Sequence, residues 1–564
     1  MISAGDALPQ DDLIEVDIAI VGAGAVGVAL ATRLAGHGRR IALIEAGGPR
    51  YDPHQQESFF KADEIMDHRH APTELYRRRM LGGTTSVWGG RCIPFDPEDF
   101  SPGTGRPGWP VTHEEVATHY GGALNFLDGG TPEFTMSAAL PARSALRADG
   151  PDSDVLLDRI ERWSKPTDVW RKWESSLARS DDVMVMHGVA CTEVLTSPDG
   201  NRAVGLRLTT RLHKSLKLFA PTIVLACGGL ETPRLLLASR SVRSCGLGNE
   251  RDLVGRFYMT HLVGDVGRLR LADAETGREL DYAVTSDGVY VRRLILLSPE
   301  ARRRASLGNI VFRPTIPTIA DPSHGDPVLS TMYLVKHFIV TEYARRLVAV
   351  GDVRSASELR RHYANVVRGL PRLLGFGVDW MKRRHFAARR LPSVFLLRSD
   401  GTYPLEFNAE QLPDPDSRVL LGSNVCPNGI PRLAVRWRAT DNDLTSICRA
   451  LQVLQAAIRH TGIGEVLLDQ DLQVHVRSAA TSQSGHHIGT ARMGRDARTS
   501  VVNRHGEVWG TSGLFVVGTA LFPTSGFANP TLTAVALALR LADHLTQRQS
   551  TLFCGATELR AAQR

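Results

Sequence analysis

Cysteine is scarce in this chain. Seven residues in 564, none spaced C-x-x-C, exclude a disulfide scaffold and a cysteine-ligated zinc site. Cys92, Cys191, Cys227, Cys245, Cys426, Cys448 and Cys554 read instead as thiols of a reducing compartment, and no metal is expected. No apolar run reaches the roughly 20 residues that span a bilayer. Residues 1–15 are acidic and polar, without the charged-then-apolar order of a secretory leader, so the expected location is the cytoplasm. Internal repeats and low-complexity tracts are also missing. What remains is ordinary globular composition in a chain long enough for more than one domain.

Charge is unevenly placed. Residues 336–398 hold fourteen Lys/Arg against four Asp/Glu, a net of +10 in a chain whose total is +7. Phe338, Tyr343, Tyr363, Leu373, Leu374, Phe376, Trp380 and Phe386 lie within this stretch, and its helical periods are expected to break at Gly351, Pro371, Gly375 and Gly377. A solvated helical insertion, adhesion to an anionic membrane or protein surface, and a lid over a substrate pocket all fit this pattern. Nucleic-acid binding does not, because no recognition motif accompanies the charge.

Residues 16–21 form a short apolar, β-branched run that predicts a buried strand. Gly22-Ala23-Gly24-Ala25-Val26-Gly27 follows at once and opens an Ala/Leu-rich helix. Gly22 permits the tight turn, Gly24 lets the backbone approach a diphosphate, and Gly27 lets helix and strand pack closely. A second strand over 40–44 ends at Glu45, a carboxylate suited to ribose hydroxyls and repelled by a 2′-phosphate. The order strand, glycines, helix, strand, acid predicts a dinucleotide site but does not separate NAD from FAD.

Two further segments bear on that choice. Met80-Leu81-Gly82-Gly83-Thr84-Thr85-Ser86-Val87-Trp88-Gly89-Gly90 combines four glycines with three hydroxyl residues, a backbone able to lie flat against a planar ligand. Near the C-terminus, His486-His487-Ile488-Gly489-Thr490 is followed by Gly526-Phe527-Ala528-Asn529-Pro530-Thr531. Asn529 is a favoured N-cap and Pro530 suits a first helical position, so a helix is expected over 531–545. Its N-terminus would favour an anionic group such as the N1/C2 edge of a reduced flavin.

With these motifs in place, the chain resembles the glucose–methanol–choline (GMC) oxidoreductases over both ends and the glycine loop, about half its length. His486 matches the family's catalytic histidine in an H-x-x-G-T pattern, and Asn529 matches the second member of the pair, His or Asn. Residues 228–237 resemble the second family signature, with Gly229 and Arg240 departing from the usual pattern. Residues 518–523 resemble the flavin-contacting segment, bringing in Gly518 and Thr519. Members with covalent flavin carry a histidine where Val87 stands here, so the resemblance implies FAD held without a covalent link.

The implied fold is α/β (α+β overall): a Rossmann-like FAD-binding domain and an antiparallel-sheet substrate domain. The FAD domain would comprise residues 1–261, with a flavin loop at 80–92 and a cap segment near 93–150, and residues 476–549. The substrate domain would be 262–475 with the basic helical insertion 336–398, and 550–564 a loosely attached tail. Within the cap, Thr112 and Glu115 have capping-box spacing; residues 137–154 read as a loop, 183–218 as alternating strands turning at Asp199-Gly200, and 222–226 as a buried parallel strand.

The resemblance implies oxidation of an alcohol. His486 removes the hydroxyl proton, the carbon-bound hydrogen passes as hydride to flavin N5, and Asn529 donates to the developing alkoxide. An imidazole, with an ordinary pKa of about 6.5, is largely neutral at pH 7 and suits such a base. His487 reads as packing beside the base, Arg492 as a structural or phosphate-facing cation, and His261 and His505 are unassigned. Cofactor contacts are expected from Gly22, Gly24, Gly27, Glu45, Gly82, Gly83, Thr84, Thr85, Ser86, Trp88, Gly518, Thr519, Pro530 and Thr531. Asn529 in an A-N-P-T context leans toward a sugar, amino-sugar or related secondary metabolite, with oxygen or another electron acceptor. A GMC-fold lyase such as a hydroxynitrile lyase, a flavin-binding protein docking on a partner or membrane, and an NAD-dependent dehydrogenase are the alternatives.

Overall fold

Two short runs, Ile18–Val21 and Ile41–Glu45, have every residue buried and pair in parallel at the middle of a six-stranded sheet. Its order is Ile2–Ala4, Val183–His187, Ile41–Glu45, Ile18–Val21, Thr222–Leu225, Leu514–Val516, parallel throughout. Parallel strands are covered on both faces, which is why they read as continuous apolar runs rather than alternating ones. Helix Ala25–Leu34 crosses one face and packs on the final helix, Thr531–Ala562, where Arg33 also pairs with Asp543 at 2.9 Å. This computed structural model describes residues 1–8, 13–103, 105–143, 146, 153–165, 167–336, 355–483 and 485–562, excepting the side chains of 549–562.

A second, antiparallel sheet has its own apolar core around Phe312, Phe407 and Leu451. It runs Gly464–Leu467, Leu262–Leu271, Thr402–Ala409, Ile310–Pro314, Ile295–Leu297, Val155–Leu156, with Thr481–Ser482 also paired to Leu262–Leu271. The architecture is therefore a Rossmann-like parallel sheet with helices joined to an antiparallel-sheet region. The two interleave more than the sequence suggests. Val155–Leu156 belongs to the second sheet, and Arg91–Cys92 and Ile160–Trp163 pair beside Tyr290–Arg293, although all three lie within 1–261.

Several local expectations change. Pro371, Gly375 and Gly377 do not break the insertion: helix Leu370–Met381 runs through them, because Pro371 falls in the first turn where no amide partner is lost. Helix Ala356–Arg368 precedes it with a complete capping box from Ser355 and Glu358. Residues 337–354, with Phe338, Tyr343 and Gly351, lie outside the described residues. At Thr112 only half of the box forms. Its hydroxyl accepts from the Glu115 amide at 3.2 Å, while the Glu115 carboxylate is drawn to Arg504 at 2.7 Å and Arg540 at 3.3 Å.

Residues 137–154 begin in a short helix, Met136–Ala139, and a 3₁₀ turn, Pro141–Arg143; 144–145 and 147–152 are outside the description. The final helix continues through 550–562 where a tail is expected; no proline follows Pro530 to stop it. Among the described residues no helix is long and apolar enough to cross a membrane, and no cluster of three His, Cys, Asp or Glu is placed to hold a metal.

Candidate active site

Strand Ile18–Val21 is followed by Gly22, whose φ of +106° is a conformation that glycine adopts without strain. A Cβ on Gly27 would sit 1.8 Å from the Gly22 carbonyl oxygen, so the helix approaches this turn closely only because residue 27 is glycine. A Cβ on Gly24 would meet nothing within 4 Å. Gly24 caps helix Ala25–Leu34 without a side-chain hydrogen bond and lines a cavity of about 310 Å³. An open cradle before uncapped helical amides suits a diphosphate, so a dinucleotide fits here.

Glu45 lines that cavity. Its carboxylate accepts from the amides of Ala23 at 3.0 Å and Gly47 at 2.8 Å. Burial raises its pKa, opposed by the Gly47 and Ala23 amides. Gly22, Gly83, Thr84, Thr85 and Trp88 join the wall, as do Gly518, Thr519, Pro530, Thr531 and His486. Gly27, Gly82, Ser86 and Asn529 do not line it. Gly82 instead turns the chain at φ +83° and donates to the Ala23 carbonyl, while the Ser86 hydroxyl donates back to Gly83 at 2.9 Å. Val87 follows the 3₁₀ turn Gly83–Ser86 as its C-cap.

The segment carrying His486 is stitched to its surroundings by backbone and hydroxyl bonds. The amides of Gly489, Ala491 and Met493 donate to the carbonyls of Thr519, Ala520 and Leu521. Thr490 Oγ1 donates to Gly229 O at 2.6 Å, and Thr519 Oγ1 donates to His487 O at 2.6 Å. Gly489 has φ +88°, and a Cβ there would stand 2.5 Å from Phe257 O, so the pattern's glycine is required by close approach as well as by conformation.

Met259 and Ile488 exchange both backbone hydrogen bonds, and this antiparallel bridge brings residue 261 opposite residue 486. His261 Nδ1 lies 2.9 Å from His486 Nδ1, and His261 Nε2 lies 3.0 Å from the Ser525 carbonyl. A carbonyl only accepts, so His261 carries its proton on Nε2 and offers a lone pair at Nδ1. His486 must then carry its proton on Nδ1, which makes Nε2 the unprotonated, accepting nitrogen. Asn529 Nδ2 donates to that Nε2 at 3.2 Å. Burial pushes the His261 pKa down to about 4, which keeps it neutral.

Asn529 therefore does not cap the final helix as its identity suggests. Its Oδ1 is buried without a hydrogen-bond partner, because the side chain turns toward His486 instead. His487 is packed: burial, with Arg77 and His70 nearby, holds its pKa well below 6.5, and its ring stacks on Tyr258. Arg492 lies over the Phe257 ring and donates to Thr499 O at 2.9 Å. His505 stacks on His544, away from this cluster.

Two features escape sequence reasoning. His261 has no motif, and only the long-range bridge between Met259 and Ile488 reveals it. Arg77, Arg78 and Arg79 line the cofactor cavity, nearly buried, with Arg77 paired to Glu231 at 2.7 Å. Three consecutive arginines just before the glycine loop were the available signal, but such runs ordinarily face solvent.

Two family models described as GMC oxidoreductase match residues 167–263 and 413–538. The chain is 23% identical to 2-methyl-1,2-propanediol dehydrogenase of Mycolicibacterium austroafricanum, over 95% of this chain and 96% of that protein. It is 23% identical to paromamine 6'-oxidase of Streptomyces fradiae, over 94% of this chain and 92% of that one. Among solved structures, pyridoxine 4-oxidase from Mesorbium loti shares the fold, with a TM-score of 0.54 at 18% identity over 94% of this chain and 98% of that one. The matched segments hold His261 in one and His486 with Asn529 in the other, and relatives similar over more than nine-tenths of this chain span both: the chain is similar to the GMC oxidoreductases in the segments that build this site.

Proposed function

We propose that this protein oxidises an alcohol carbon of a small polyhydroxylated molecule, using FAD held non-covalently in the cavity between Glu45 and Thr531. The observation that carries the reading is the ordered chain Ser525–His261–His486–Asn529, in which every donor meets an acceptor and His486 Nε2 is left as the base. Gly22 and Gly24 would receive the diphosphate, Glu45 the adenosine ribose, Thr519 and the start of helix Thr531–Ala562 the flavin end. FAD bound there supplies the two-electron acceptor for the carbon-bound hydrogen.

The chain's own part is proton handling. A substrate hydroxyl entering beside Asn529 replaces its amide as the donor to His486 Nε2, and that nitrogen takes the proton. The freed Asn529 Nδ2–H then donates to the alkoxide oxygen, where charge develops. His261 continues to accept from His486 Nδ1–H, so the newly charged imidazolium keeps a partner.

The relatives named for a propanediol and for paromamine, with Asn529 in its A-N-P-T run, support a sugar, an amino-sugar or a related metabolite. Anaerobic bleaching of the flavin across a panel of alcohols and glycosides tests the activity, and admitting air then separates an oxidase from a dehydrogenase with another acceptor. A panel that includes glycosides and leaves the flavin oxidised throughout would favour the lyase alternative.

The cofactor linkage has a separate test. Val87 offers no nucleophile, so acid precipitation should release all the FAD into the supernatant. Yellow colour remaining with the precipitate would contradict non-covalent binding.

A further inference from the structure

Helices Ala356–Arg368 and Leu370–Met381 satisfy the fold with one face and leave the other apolar and exposed. On the inner side, His362 is buried against the Tyr333 ring, with its Nδ1 3.1 Å from Ser330 Oγ; Leu373 and Phe376 pack on the cluster of Ile319, Val328 and Leu329. On the outer side, Leu359, Tyr363 and Val367 recur every fourth residue, and Leu370, Leu374, Val378 and Met381 follow at helical spacing. Val367 is 74% exposed, Leu374 62%, and Phe386, just beyond the second helix, 78%. Single exposed hydrophobics are normal, but eight within 28 residues, seven of them at helical spacing on these two helices, form an apolar stripe.

Cations flank the stripe. Arg360, Arg361, Arg368, Arg372 and Lys382 are exposed, and residues 355–398 hold ten Lys/Arg against two acids, Glu358 and Asp379. We propose that this face docks the protein on the surface of an anionic lipid bilayer, with both helices lying in the interface. The apolar stripe would enter the acyl boundary and the arginines would meet headgroup phosphates. A second copy would set a net charge of +8 against +8. An acidic protein would match the charge but would also have to supply a shape fitted to both helices, which a fluid interface does not require. The inference is independent of the proposed alcohol oxidation.

The test is flotation of the full-length, FAD-loaded protein with phosphatidylglycerol–phosphatidylcholine vesicles and with phosphatidylcholine vesicles alone. Partition is expected only on the anionic vesicles at low salt, and should fall at least about tenfold near 1 M salt, where the Debye length is about 3 Å. The combined Arg360→Glu, Arg368→Glu and Lys382→Glu substitutions should abolish it. Val367→Ser, Leu374→Ser and Phe386→Ser together should weaken it by about tenfold, with thermal stability and turnover as in the parent. No vesicle partition at low salt, or equal partition by both variants and the parent, would overturn the proposal. So would concentration-dependent dimerisation lost in the serine variant, or capture of an acidic protein, where vesicles are not bound.

Discussion

His486→Ala should keep its FAD but bleach it with substrate about 10²–10⁴-fold more slowly, the usual worth of a positioned general base. The expectation rests on the unprotonated Nε2: the ring proton is on Nδ1, committed to His261, so the nitrogen that accepts from Asn529 can accept from a substrate hydroxyl in its place. Water can replace the base but not its placement. Asn529→Ala should also slow bleaching. A capping asparagine would add a loss of about 0.5–2 kcal/mol in stability, but the Asn529 Oδ1 makes no capping bond, so that loss should be absent. Stopped-flow reduction alongside thermal unfolding separates the two effects. A His486→Ala enzyme that reduces its flavin at the parental rate would show that the base is elsewhere.

The parts of this site legible in the sequence are those whose chemistry is local. Gly27 is constrained by the carbonyl of Gly22 in the turn just before it, Gly22 by its own positive φ, and Glu45 ends the neighbouring strand, so spacing carries the argument. The pattern around His486 is legible only through the resemblance, because Gly489 answers to Phe257 O and Thr490 to Gly229 O, both far away in the chain. What is hidden depends on pairing across the chain. Arg77 reads as solvent-facing until Glu231, 154 residues away, is seen beside it. Asn529 has the identity of a cap, and its actual orientation follows from His486, 43 residues earlier. The helix through Pro371, Gly375 and Gly377 shows the same limit in another form: residue propensities forecast breaks, while placement of the proline in the first turn and packing of Leu373 and Phe376 decide otherwise.

His261→Leu is expected to lower kcat about 10²-fold with little change in KM, although His261 is a positioning residue with no place beside the reacting carbon. Its loss frees His486 to carry its proton on Nε2, the wrong nitrogen for a base, and to rotate. His261→Asn should restore most of the rate, since an amide oxygen near the former Nδ1 can accept from His486 Nδ1–H. A purely structural role would not distinguish these two variants in kcat. Stability supplies a second readout that needs no turnover. Burial holds the His261 pKa at about 4, below the ordinary 6.5, so on acidification the unfolded chain takes up this proton before the folded one. The contribution is fully present above pH 6.5 and is lost as pH falls toward 4. At about 1.4 kcal/mol per pH unit the loss is about 3 kcal/mol. His261→Asn lacks that proton site, so between pH 6.5 and 4 it should lose less stability than the parent by about that amount. Unchanged kcat in His261→Leu would remove the residue from the mechanism, whereas equal acid sensitivity of parent and His261→Asn would mean that His261 is not held neutral by the fold.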